Sequence, residues 1–161
     1  MTEPRSGLPL YHGMFKHLDT KAGFGVWLPL GWAEVKMGKG HQGTVFFPEP
    51  EIQDTYFSCE SFKLRFPVTE EDVSILREGF NSGLQALPGM EIESQDETVT
   101  ATLIAFDARF TFLEEEAQRK RWVRNIYWGK SQMVFIAQGS APVEFDYWLP
   151  MFYQTMMTFE V

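Results

Sequence analysis

Residues Thr98–Gln138 read TVTATLIAFDARFTFLEEEAQRKRWVRNIYWGKSQMVFIAQ. Over 98–112 the side chains alternate, with Val99, Ala101, Leu103 and Ala105 on one parity and Thr100, Thr102, Ile104 and Phe106 on the other. That period of two is the mark of a strand. Glu114-Glu115-Glu116 reads as a solvated turn. Arg119–Trp128 is the next strand, Gly129-Lys130-Ser131 turns the chain, and Gln132–Gln138 is a continuous apolar run of the kind found in the middle of a sheet. Turns this short join neighbours that run in opposite directions, so the stretch predicts an antiparallel meander.

Upstream, Thr55–Phe66 alternates best in its second half, which predicts that Phe62, Leu64 and Phe66 face the core. Short strands precede it at Met14–Leu18, Phe24–Leu28, Trp32–Lys36 and Thr44–Phe47. The Gly-rich segment 36–43 reads as a hairpin loop, because its lysine and its flanking strands do not match the order of a phosphate-binding loop. Thr69–Leu87 carries an apolar stripe at Val73, Leu76, Phe80, Leu84 and Leu87, an acidic first turn and a terminal Pro88-Gly89, all signs of an amphipathic helix. Gly79 and Gly83, four apart on it, suggest a close approach to a sheet. A second helix is expected at about 143–157, with Pro150 as an awkward interior residue. The element order places the chain in the α+β class: an antiparallel sheet of about six to seven strands with two main helices. Residues 1–13 read as an irregular arm and 14–161 as one domain.

Of the 161 residues, 44% are hydrophobic and 16% aromatic, as in a globular chain with an aromatic-rich core. Fourteen Lys and Arg stand against 22 Asp and Glu, a net charge of −8. This balance argues against nucleic acid or an anionic membrane as partner. The N-terminal stretch lacks an apolar signal region and no segment is long enough to span a bilayer, so the chain reads as cytoplasmic. Cys59, in an aromatic strand, reads as a small buried hydrophobe. His12, His17 and His41 lack metal-ligand spacing, so neither a metal nor a cofactor is implied.

Two clusters qualify as binding candidates. Arg119, Arg121, Trp122 and Arg124 interleave cations with an aromatic ring, a pattern that suits stacking ligands or an acidic protein surface. The plainer reading is a strand whose cations pair with neighbouring acids such as Glu114–Glu116. Tyr127, Trp128, Trp148, Phe152 and Tyr153 are either core or the lining of a cavity between sheet and last helix. No catalytic motif stands out.

The stretch Gly23-Phe24-Gly25-Val26-Trp27-Leu28-Pro29-Leu30-Gly31-Trp32 resembles the opening strand of the PsbP-like α/β sandwich. So do the helix at 69–87 ending in Leu-Pro-Gly, the meander after it, Arg124-x-x-Tyr127-x-Gly129 ahead of the apolar strand, and a final helix running into Thr158-Phe159. The likeness covers residues 14–161, with Pro150 and the basic run 119–124 outside the pattern. That superfamily includes extrinsic photosystem II subunits, a Ran-binding import factor and chaperones of type VI secretion effectors. The resemblance implies a non-catalytic protein-binding module, adaptor or chaperone-like, with another protein as partner. The alternative is a small-molecule-binding domain or enzyme with an apolar ligand in the aromatic cavity. A homo-oligomer is a third reading.

Overall fold

The structure, a computed structural model, describes Arg5 and residues 7–161. The expected arm over 1–13 therefore lies partly outside the described residues, and from Gly7 to Gly13 it forms neither helix nor strand. Nine strands and two helices follow: β1 (Met14–Asp19), β2 (Phe24–Pro29), β3 (Ala33–Lys36), β4 (Gln42–Phe47), β5 (Tyr56–Lys63), α1 (Val73–Gln85), β6 (Glu91–Val99), β7 (Ile104–Glu114), β8 (Ala117–Trp128), β9 (Ser131–Gly139) and α2 (Pro142–Met157). Seven strands form one antiparallel sheet in the order β3-β4-β5-β9-β8-β7-β6, and β1 pairs with β2 as a separate hairpin. This is the α+β architecture expected from the sequence. Two meanders meet along β5 and β9, with Phe57 opposite Ala137 and Cys59 opposite Phe135.

Each sheet face has its own helix. On one side α2 and the β1–β2 hairpin bury Phe57, Cys59, Trp122, Ile126, Met133 and Phe135. On the other, α1 covers Ile104, Phe106, Phe110 and Tyr127. α1 begins at Val73, four residues after the expected start, because the acidic residues before it form a tighter turn. A single 3₁₀ turn, Glu70–Asp72, leads into it, and Thr69 N–H donates to the Asp72 carboxylate at 2.8 Å, satisfying a donor at the helix entry. α2 starts with Pro142, where no backbone donor is needed, and accommodates Pro150 on its exposed side. The carbonyl that Pro150 leaves without a helical donor is that of Asp146, itself exposed, so water can serve it. After α2, Glu160 bridges to Gly25, and Thr158 Oγ1 accepts the Trp27 N–H at 2.9 Å. These contacts tie the hairpin to the helix end.

Three details depart from the expectations. The strand read through 98–112 is broken by a turn at 100–103. There Thr100 Oγ1 accepts the Leu103 N–H at 3.0 Å and Thr100 N–H donates to the Leu103 carbonyl at 2.8 Å, so a threonine hydroxyl replaces the usual glycine signal. On β5 the residues facing the α2 core are Phe57 and Cys59; of the three residues expected to face the core, Leu64 packs partly buried against the α1 cluster while Phe62 and Phe66 are exposed. The strand ends at Lys63, so its regular second half runs off the sheet. Gly79 and Gly83 do not mark a close approach, since a Cβ at either would meet open space. Gly139 does: a Cβ there would sit 2.2 Å from Phe145 N, against the first turn of α2.

Candidate functional site

Alternation along two neighbouring strands brings four functional side chains to the α2 side of the sheet. Asp107 and Arg109 are two apart on β7, as are Trp122 and Arg124 on β8. The register sets Arg109 opposite Trp122 and Asp107 opposite Arg124. β6 adds Ser94 and Asp96 opposite Arg109 and Asp107. α2 packs on β8 and β9 and stops short of the Ser94–Asp96 stretch of β6 and the Asp107–Arg109 stretch of β7. The gap is a groove of about 400 Å³, closed on the helix side by Tyr153 and Met157.

Its wall is an ordered polar stack. The Arg109 guanidinium lies 4.4 Å from the centre of the Trp122 ring, and the Tyr153 ring stacks on that indole at 6.2 Å and 27°. Trp122 Nε1 donates to Asp107 Oδ1 at 2.9 Å. Arg124 Nε stands 3.4 Å from Asp107 Oδ2, and its Nη1 donates to the Met156 carbonyl at 3.3 Å. α2 has no basic residue in its last turn, so Arg124 supplies from the sheet the positive charge that a helix C-terminus attracts. Burial pushes the Asp107 carboxyl up, against the pull of the Trp122 hydrogen bond and the Arg124 charge. Arg109 forms no ion pair among the described residues, and Tyr153 is half exposed.

The candidates from sequence divide by strand parity. Trp122, Arg124 and Tyr153 meet in the groove. Arg119 and Arg121 point to the opposite face, where Arg119 bonds the Ser140 carbonyl at 2.7 Å and lies 3.4 Å from Asp54 and 3.5 Å from Glu114. Arg121 bonds Gln138 and covers Phe112 at 4.4 Å. Lys120, between them, pairs with Glu93 at 2.8 Å and Asp146 at 3.0 Å. The basic run is thus held by intramolecular partners at every cation. The aromatic set does not converge either. Tyr127 lies under α1, its hydroxyl accepting from Gln132 at 3.1 Å with its pKa raised by burial. Trp128 meets Phe159 edge-on at 5.5 Å. Trp148 and Phe152 are core residues that flank Trp32, at ring distances of 6.1 and 6.0 Å. The expected aromatic cavity under the last helix is filled by these rings and by Phe145 and Met156, both fully buried.

Sequence reasoning missed Asp96, Asp107 and Arg109. The available signal was Asp107-x-Arg109 inside the otherwise apolar Ile104–Phe112: two charges at strand spacing betray a polar stripe on a part of the face that its helix leaves open.

No protein-family model matches the chain, and comparison with curated proteins gives no match. Among solved structures, the chain is similar to cyanobacterial PsbP (CyanoP) from Synechocystis sp. PCC 6803, at 17% identity and a TM-score of 0.64 over 99% of this chain and 98% of that one. It is similar to LpqN, involved in cell envelope biogenesis of Mycobacterium tuberculosis, at 10% identity and a TM-score of 0.61 over 94% and 87%. The Saccharomyces cerevisiae Ran-binding protein Mog1p matches at 10% identity and a TM-score of 0.55 over 92% and 95%. The fold is therefore that of the PsbP-like sandwich. No helix among the described residues is long and apolar enough to cross a membrane.

Proposed function

We propose that this chain, with residues 14–161 acting as one α+β domain, is a non-catalytic protein-interaction module of the adaptor or chaperone-like kind, and that the groove beside α2 receives side chains of its partner. The single observation that carries the reading is the Arg109–Trp122–Tyr153 stack, open on one side and fixed from behind by Asp107 and Arg124. Trp, Tyr and Arg are the residue types that concentrate binding energy at protein interfaces, and these are already ordered before a partner arrives. A structural neighbour described as Ran-binding supports the same direction by analogy of fold.

A photo-cross-linking residue placed at Tyr153, and another at exposed Ile75 on α1, test it in cells. The expected result is one discrete protein adduct from position 153 and none from position 75. Tyr153→Ala with Arg109→Ala should then weaken binding of that partner at least about tenfold. Equal labelling from both positions would remove the groove from the account. An adduct with a second copy of this chain would make it a homo-oligomer contact.

A further inference from the structure

Eight of the 14 Lys and Arg residues form no ion pair among the described residues. Two of them, Arg109 and Arg121, lie over aromatic rings. The other six, Lys21, Lys36, Lys39, Lys63, Arg65 and Lys130, are all exposed, and all sit at one end of the molecule. The sheet register puts them there. Gln42 at the start of β4 pairs with Ser61, and Lys63 at the end of β5 pairs with Ser131 at the start of β9. Arg65 follows directly, where Leu64 N–H donates to the Lys130 carbonyl at 2.7 Å. The β1–β2 turn joins the same end, where Gln42 Nε2 donates to Asp19 Oδ2 at 3.3 Å.

The end is concave as well as basic. Lys21 and Lys63 flank a hollow of about 320 Å³ on the hairpin side of the sheet, with Gln42, Ser61 and Ser131 as polar lining; Phe62, of the opposite strand parity, turns its ring to the other face. Lys21 and Gln42 also border a second hollow of about 360 Å³ that holds His17, Lys36 and His41. Three carboxylates near these hollows are engaged. Asp19 accepts the Ala22 N–H at 2.9 Å as well as the Gln42 amide, Glu60 meets His41 at 2.6 Å, and Glu160 pairs with Lys16. In a chain of net charge −8 these six cations still form no ion pair among the described residues.

We propose that this turn end is a docking surface for an acidic segment of a partner protein, one that presents several carboxylates close together. The carboxylates meet Lys21, Lys36 and Lys63. A protein segment is favoured over nucleic acid or an anionic bilayer because the positive field is confined to this end. A long polyanion or an extended charged surface would also meet the acidic remainder of the molecule. The proposal shares with the function above the idea of a protein partner but uses none of the groove.

Fluorescence anisotropy of a short labelled polyglutamate peptide tests it on the full chain. Binding should occur, weaken as salt is raised, and fall at least about tenfold in the triple variant Lys21→Glu, Lys36→Glu, Lys63→Glu. The triple Lys→Arg variant at the same positions should retain it, which separates loss of charge from loss of fold. Absence of peptide binding, an unchanged affinity in the Glu variant, or tighter binding of a single-stranded oligonucleotide or of phosphatidylserine vesicles would overturn the proposal. Arg109→Gln should leave the peptide affinity within about twofold; a loss there would assign the peptide to the groove instead and leave the interaction-module reading standing.

Discussion

α1 and α2 cover opposite faces of one sheet with unequal grip. α2 buries Phe145, Phe152 and Met156 completely and Trp148 and Met151 nearly so, touching the sheet and the hairpin. Arg5 also reaches its buried Glu144 at 3.1 Å and lies 4.8 Å from the Tyr147 ring. α1 buries only Val73, Phe80 and Leu84 and leaves Ile75 69% exposed. Yet α1 is the clearer helix in sequence, with a single apolar stripe and a charged outer face. A clean stripe records contact on one side only. α2 is contacted on several sides, so its apolar residues spread around the helix and blur the period.

The strongest test of that inequality is a pair of truncations. Phe152→Ala removes a fully buried ring between Trp32 and Phe145, and should cost about 5 kcal/mol, the upper end for Phe→Ala. Phe80→Ala removes a ring stacked on Phe106 at 5.7 Å at the rim of a smaller core, and should cost about 3 kcal/mol or less. Urea denaturation of both variants reads the difference directly. Equal losses would mean that the two layers contribute alike.

Glycine substitutions give a smaller effect with opposite signs on the two faces. Gly139→Ala drives a Cβ into the backbone at Phe145, which cannot yield without lifting α2, and should cost about 3 kcal/mol. Gly79→Ala and Gly83→Ala place a methyl in open space within a helix, and should each stabilise by up to about 1 kcal/mol. Thermal midpoints that fall for Gly139→Ala and rise for the other two fit the contrast. A fall for Gly83→Ala would show that α1 sits closer to its sheet than these contacts indicate.

The elements legible in sequence were those fixed by local chemistry. The alternation in Ile104–Phe112, the turn at Gly129 and the apolar stripe of α1 each sit within a few neighbouring residues. What escaped depends on partners far along the chain. Nothing near Gly139 announces that Phe145 rests on it, because that contact belongs to the approach of a helix to a sheet. The Thr100 turn was hidden because threonine is also a strong strand former. The groove was half visible: Trp122, Arg124 and Tyr153 stood out, while Arg109 and Asp107 became meaningful only once the β7–β8 register set them opposite Trp122 and Arg124.

The smallest predicted difference is electrostatic, and it reverses sign between the faces. Asp107, on the α2 side, has its pKa raised above 3.8, first by burial. The folded state therefore holds its proton to higher pH than the unfolded chain does. The associated stability is fully present below the unfolded value and is lost as pH rises through the folded one. Glu97, on the α1 side, has its pKa lowered below 4.5, first by the hydrogen bonds from Arg77 at 2.7 and 2.8 Å. Its contribution is present above the unfolded value and is lost as pH falls through the folded one. Relative to the parent protein, Asp107→Asn should gain in thermal midpoint as pH is raised from acid towards neutral, because an amide keeps the neutral form's shape and cannot ionise. Glu97→Gln should lose ground over the same range, though weakly, since that pair is exposed to solvent screening. Midpoint differences measured across the acid range, plotted for both variants, should diverge from one another. Parallel curves would show that Arg124 and Arg109 compensate Asp107 as fully as Arg77 compensates Glu97, and the groove would then hold an ion pair at ease instead of a carboxylate kept under desolvation.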